Sequence, residues 1–311
     1  TVEQLSTIMS RNYSYERNIN NDPAMAEWLN RMLLIGDPST SGISCVYTNK
    51  YVKELAQNVN PDYSFIENYS GGYPNTINSG INQGVSFFNY RGYIGMSSWS
   101  PSSSLVNNPR FPHAVILTCG TGSFASTYAV ATTEAFTRLG TSANPNGAVT
   151  AIGMATSGTH TMFNNALTSG IFNGIFTHKM RTMGEALLNG RYYLKELYGA
   201  THMTQVNYFS HWCNLMGDPT LEVFVGIPKT LVINSQDSIT TGSTAIDVQV
   251  TDDGQNPLSE VSVTAYSTGQ NLVLAKGFTD ALGNLTLTIG GGITGEIVLT
   301  ASKHDSKPAQ K

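Results

Sequence analysis

Near Pro228 the hydrophobic pattern of the chain changes period, and that switch bounds what it can fold into. Upstream, short apolar runs alternate with segments of helical spacing. Residues 44–47, 84–89, 113–118 and 148–155 are short, rich in Val, Ile or Phe, and closed by Gly, Asn or Thr, which predicts buried strands. Segments 22–34, 50–58, 126–139, 164–176 and 182–198 carry helical spacing. Thr182 and Glu185 add a T-x-x-E capping box, whose side chains satisfy free N–H groups of a first turn. Such alternation predicts an α/β domain: a mostly parallel sheet flanked by helices on both faces.

Downstream of Pro228 the period is two. Residues 231–233, 245–250, 262–267, 273–279, 284–288 and 295–301 read as short strands, separated by turn signals such as Asp253-Gly254 and Leu282-Gly283-Asn284. A set of about seven short strands predicts an all-β immunoglobulin-like sandwich. The expected organisation is an α/β domain over 1–227, a β-sandwich over 228–303 and a polar, Pro-containing linker or tail over 304–311.

Composition excludes several classes. With 40% hydrophobic residues, 311 residues can bury a sizeable core and are too apolar for disorder. No apolar run is long enough for a membrane span. Only 12% of residues are charged, and a net charge of −4 without a Lys/Arg cluster gives no footprint for nucleic acid. A surface solvated by amides and hydroxyls leads us to expect a secreted, extracellular protein. The chain starts at Thr1 without Met or an apolar leader, so the expectation is that a signal peptide and pro-segment were removed or the chain was cut, with further domains beyond both ends. Cys45, Cys119 and Cys213 can form at most one disulfide.

Recognisable catalytic and cofactor motifs are scarce in the chain. Gly120-Thr121-Gly122-Ser123-Phe124-Ala125 follows an apolar run as a G-x-G-x-x-A, but the next run leads into Thr156-Ser157-Gly158-Thr159-His160 without the acid that would hold a ribose. There is no G-x-S-x-G elbow and no H-E-x-x-H helix, and the cysteines and histidines are dispersed. No cofactor or metal is therefore expected. Asp252-Asp253-Gly254 and Asp280 could offer oxygens to a structural Ca²⁺, but plain hairpin turns are the preferred reading.

Cys119 remains. It ends an apolar run and opens a Gly-rich turn ahead of an expected helix, where an open α/β sheet presents ligands and a thiolate can act as nucleophile. Gly120 and Gly122 would let backbone N–H groups face an oxyanion. A small buried residue closing a core strand is the bland alternative.

Five ordered stretches make the chain similar to peptidase family C25, the gingipain-type cysteine peptidases. They are Tyr15-Glu16-Arg17-Asn18 ahead of Trp28-Leu29; Gly84-Val85-Ser86-Phe87-Phe88-Asn89-Tyr90-Arg91-Gly92; Thr118-Cys119-Gly120-Thr121-Gly122-Ser123-Phe124; Gly184-Glu185-Ala186; and Leu215-Met216-Gly217-Asp218-Pro219-Thr220-Leu221. The resemblance implies a caspase-like α/β fold, polypeptide substrates and Cys119 as nucleophile. It also implies that the family's first catalytic subdomain is not part of this chain.

The resemblance breaks at one position. The family's His follows N-Y-x-G and stands six residues before a Trp; here that slot is Tyr93, ahead of Trp99. A Cys peptidase needs an imidazole to take the thiol proton and to protonate the leaving amine. His160, after the next strand, is the candidate replacement base. Tyr93 would line the site, with Gly92, Gly95 and Gly120 supplying the oxyanion turns and Asp37, after the strand-like residues 32–35, as a possible orienting acid. His113 would lie at the wrong end of its strand, and His211 reads as a core residue. No acid stands between Asp37 and Glu54, where the family places the carboxylate that selects Arg or Lys, so strict basic specificity is not expected. Hydrolysis and peptide transfer share this nucleophile. The rival class is a catalytically silent relative serving as a protein-binding or adhesion module.

Overall fold

The computed structural model describes residues 1–17, 19 and 23–311; Asn18 and Asp22, used in the readings above, lie outside the described residues. The chain divides into two compact units, Thr1–Ile227 and Pro228–Lys311.

In the first unit, helices α1 (Val2–Arg17) and α2 (Pro23–Ala26) and a 3₁₀ turn (Glu27–Asn30) lead into strand β1 (Arg31–Gly36). Then come α3 (Pro38–Ser41), α4 (Ser44–Val59), β2 (Ser64–Asn68), α5 (Tyr73–Gln83), β3 (Phe87–Arg91) and β4 (His113–Ile116). The unit closes with α6 (Thr132–Thr137), β5 (Thr150–Met154), α7 (Thr161–Phe176), α8 (Met183–Trp212) and β6 (Cys213–Met216). The strands form one sheet in the order β2-β1-β3-β4-β5-β6, parallel except for the β5–β6 pair.

Successive side chains of a strand point to opposite faces, so every central strand feeds two cores. Met32, Leu34, Phe87, Val115, Leu117 and Ile152 meet α4, α7 and α8 on one face. Leu33, Ile35, Phe88, Tyr90, Ile116 and Ala151 meet α5 and α6 on the other. The result is the α/β sheet with helices on both faces that the alternation predicts. The capping box at the start of α8 also forms: Thr182 Oγ1 accepts from Glu185 N while Glu185 Oε2 accepts from Thr182 N.

Several local expectations are overturned. Residues 44–47 open α4 rather than a strand; Cys45, Val46, Asn49, Val52 and Ala56 are buried at helical spacing, a period that four residues cannot reveal. Residues 31–34 of the expected 22–34 helix belong instead to β1, which is buried on both faces. In 126–139 only Thr132–Thr137 is helical, because Phe124, Tyr128 and Val130 are exposed and offer no apolar stripe to bury. Cys119 therefore does not precede a helix of its own.

In the second unit, β7 (Lys229–Thr230), β8 (Val232–Ser235), β9 (Ala245–Thr251), β10 (Ser262–Ser267), β11 (Leu272–Phe278), β12 (Asn284–Thr288), β13 (Ile297–Ser302), β14 (Ser306–Lys307) and β15 (Ala309–Gln310) follow. Sheets β11-β10-β13-β15 and β12-β9-β8 share one apolar core of Ile233, Val248, Val250, Val263, Leu287 and Leu299, consistent with a sandwich. The 304–311 segment is not a free linker. Ala309 pairs with Ala301, and the Leu299 N–H donates to Lys311 O, so the segment completes an edge that would otherwise stay unpaired.

Candidate active site

Register along the sheet brings four strand ends together. Gly36 lies opposite Arg91, Tyr90 opposite Ile116, and Ile116 opposite Gly153, so Asp37, Gly92, Cys119 and Thr156 all follow one carboxyl edge. From β1 the chain moves outward to β2 and then returns to β3 on β1's other side. The loops of β1 and β3 thus diverge at the kind of switch point where open α/β sheets bind ligands.

The Cys119 turn is tightly specified. Gly120 has φ +73°, a conformation an L side chain rarely adopts, and its N–H donates to Thr156 O at 2.8 Å. The Gly122 N–H donates to Met154 O at 2.9 Å. Both glycine N–H groups are thus committed to β5 and its following loop, which corrects the expectation that they face an oxyanion. A Cβ on Gly122 would stand 2.7 Å from the Gly153 carbonyl carbon. This close approach to β5 accounts for the G-x-G signal without a nucleotide.

Cys119 is half-buried and free, as are the buried Cys45 and Cys213. Its Sγ lies 3.0 Å from Thr159 Oγ1 and 3.9 Å from Thr159 O. Because Asn164 Nδ2 donates to the same hydroxyl at 3.0 Å, the Thr159 proton is free to point at sulfur. The helix N-terminus offered to Cys119 is therefore that of α7. Burial raises the pKa of the Cys45 thiol and pushes that of Cys213 up to about 12.

His160, next to Thr159, is exposed and N-caps α7, its Nδ1 accepting from Met162 N at 3.2 Å. Accepting there places the neutral ring's proton on Nε2. Thr118 Oγ1 donates to Gly92 O at 3.0 Å and so binds the Gly92–Gly95 turn to the Cys119 strand. Tyr93 is 48% exposed on that turn, whereas Trp99 is buried in the core with its Nε1 donating to Asn78. Gly95, Met96, Ser97 and Ser98 are consecutively left-handed.

Asp37 is not turned towards His160. Its Oδ1 accepts from Ser39 N and Oγ, and its Oδ2 accepts from Ser97 Oγ at 2.6 Å. Burial acts to raise its pKa, but these hydrogen bonds to the ionised form outweigh that and hold it below the usual value. His113 is buried at the amino end of β4 between Thr150 and Tyr15, away from the site. His211, expected in the core, is exposed instead, because the α8–β6 junction brings it to the surface beside Thr156.

Two cavities flank Cys119. One, of about 670 Å³, is lined by Gly120, Ser123, Phe124, Tyr128, Thr156 and His211 among others. The second, of about 660 Å³, is lined by Thr40, Ser41, Ser44, His160, Thr161 and Asn165 with residues of α8. Neither lining includes Asp or Glu. Among the described residues no cluster of His, Cys, Asp or Glu could hold a metal, and no helix is long and apolar enough to cross a membrane.

Three residues of the site, Thr159, Asn165 and Arg91, do not figure among the candidates that the sequence offers. Arg91 carried a readable signal, a cation closing a short run rich in aromatic residues. Thr159 and Asn165 carried none, since hydroxyls and amides are common throughout this chain.

The model of peptidase family C25 matches residues 1–224. Among solved structures, the Arg-specific cysteine proteinase gingipain R is 22% identical, with 99% of this chain and 71% of that one aligned at a TM-score of 0.82. A complex of RgpB pro- and mature domains from Porphyromonas gingivalis gives 20% identity, 98% and 72% coverage and a TM-score of 0.81. A further structure, described as a protease, gives 17%, 99% and 71%, and 0.77. At these identities the likeness establishes a gingipain-like fold. No curated protein sequence matches significantly.

Proposed function

Because the chain belongs to peptidase family C25, we propose that it is a secreted cysteine endopeptidase in which Cys119 is the nucleophile. The observation that carries this reading is the position of the Cys119 thiol, half-buried at the carboxyl edge of the sheet and 3.0 Å from the Thr159 hydroxyl. Cys119 Sγ attacks the scissile carbonyl and forms a thioester, and its proton passes to His160. His160 returns that proton to the leaving amine, and water then hydrolyses the thioester. To accept at Nδ1, His160 must release Met162 N, at a cost of about 1 kcal/mol, the worth of one cap. The Cys119 N–H and the Gly92–Gly95 turn supply the oxyanion donors, with Tyr93 at their edge. The absence of a carboxylate from both cavity linings argues against strict Arg or Lys preference.

One observation favours the second reading, a catalytically silent module that binds other proteins. Tyr93 stands where the family carries its His, and a phenol is a poor base near neutral pH.

Intact-mass labelling with a panel of peptidyl electrophiles separates the two readings. Cys45 and Cys213 serve as internal controls, since burial disfavours both thiolates. A peptidase labels at Cys119 faster folded than unfolded, and Cys119→Ala loses all turnover. Labelling no faster than a free thiol supports the binding module.

A further inference from the structure

Resting on the peptidase reading, we propose that the cavity among α3, α4, α7 and α8 receives an acidic side chain of the peptide substrate, with Arg91 as its counter-charge.

Arg91 ends β3 and is fully buried. Its Nε and Nη2 both donate to one neutral atom, Asn165 Oδ1, at 2.9 and 2.7 Å. Nη2 also reaches Thr161 O at 3.4 Å, while Nη1 is buried with no hydrogen-bond partner. Among the described residues no carboxylate pairs with it. Burial lowers its pKa to about 10, so it still carries charge at neutral pH. A buried cation without a counter-ion is left uncompensated for its lost hydration, and a planar guanidinium fork is built to grip a carboxylate through two bonds. Here an amide oxygen occupies the place of that carboxylate.

The site is open to a substrate from one side. Asn165 and Thr161, the two residues to which the Arg91 guanidinium donates, line the cavity. Asn165 Nδ2 donates to Ser44 Oγ at 3.0 Å across the same space. Swinging the Asn165 amide aside uncovers the fork and leaves its Nδ2 available to the incoming carboxylate. The N-terminus of α7, a sixteen-residue helix, adds partial positive charge. His160 lines this cavity and adjoins Thr159, which touches Cys119 Sγ, so an occupant lies next to the reacting bond. The absence of any lining carboxylate removes the repulsion that would expel an acidic side chain.

The test is a set of fluorogenic peptides differing only in the residue before the cleaved bond (Asp, Glu, Asn, Leu or Lys), with Cys119→Ala as blank. Wild type is expected to prefer Asp or Glu over Leu and Lys by at least about 10²-fold in kcat/KM. Arg91→Gln removes the cation. Asn165→Asp is the gentler variant, because it keeps Arg91 paired while filling the fork with an internal carboxylate. In either variant the acid-to-Leu ratio should fall by about 10²-fold. Preference for Leu or Lys in wild type, or an unchanged ratio in Asn165→Asp, overturns the proposal. If no peptide is cleaved in a Cys119-dependent way, the peptidase reading fails on its own. Equilibrium binding of the same peptides to Cys119→Ala then decides the pocket: acidic peptides should bind at least about tenfold tighter than the Leu peptide, and equal affinities overturn the assignment.

Discussion

The hydroxyl of Thr159 bridges Asn164 and Cys119, accepting from the amide of one and standing 3.0 Å from the sulfur of the other. Two strands and a helix cap are thereby joined at one atom. The thiol of β4's loop is held by the loop after β5, at the point where α7 begins.

Thr159→Val tests that link. The substitution keeps the shape and removes the donor to sulfur, so alkylation of Cys119 at neutral pH should slow by about tenfold, the worth of one hydrogen bond to a developing charge. Stopped-flow labelling reads the rate directly. An unchanged rate would make the contact incidental.

Asp37 holds the left-handed turn through Ser97 and caps α3 through Ser39. Its folded pKa lies below the unfolded value, so its contribution is present above about pH 4 and is lost as pH falls through the folded pKa. Asp37→Asn should destabilise the protein by about 1–2 kcal/mol at pH 7, and the gap to wild type should close on acidification. Urea unfolding at pH 7 and pH 3 measures both, and a gap that widens in acid would contradict the assignment.

His113 has the opposite chemistry with the same sign of pH dependence. Burial pushes its pKa down to about 3, so it stays neutral in the fold while the unfolded chain takes up a proton below about 6.5. Its contribution is complete above that pH and declines as pH falls towards 3, with a slope approaching about 1.4 kcal/mol per pH unit. His113→Gln does not titrate there. Its unfolding free energy should change less than that of wild type between pH 7 and pH 5, and parallel curves would refute the point.

Gly122→Ala probes the turn behind the thiol. The new Cβ meets backbone atoms of Gly153 at 2.7–2.8 Å, and backbone cannot move aside as a flexible side chain can. A loss of at least about 2 kcal/mol is expected, together with slower labelling of Cys119. Wild-type stability in chemical denaturation would show that the strand gives way more easily than its neighbours suggest.

Legibility from sequence followed the length of each signal. The switch at Pro228, the buried β4 and β5 and the capping box at Thr182 rest on patterns that a linear reading can count. The opening of α4 and the start of β1 do not, because four to six apolar residues satisfy a strand and a buried helix alike, and residues 32–34 fit both the helical 22–34 and the strand-like 32–35. The expected helix after Cys119 failed because helical spacing without a surface to cover brings no stabilisation.

The sequence by itself determined the α/β and all-β characters of the two segments, the family resemblance and Cys119 as the nucleophile candidate. Those depend on local periodicity and on short motifs, which are properties of neighbours in the chain. Only the tertiary structure decided which groups surround the thiol. Thr159 meets Cys119 across 40 residues, Asn165 meets Arg91 across 74, and Asp37 meets Ser97 across 60. Such contacts follow from strand register and crossover, and no spacing along the chain encodes them. For the same reason the lack of a counter-charge at Arg91 becomes visible only once its partners are seen to be neutral.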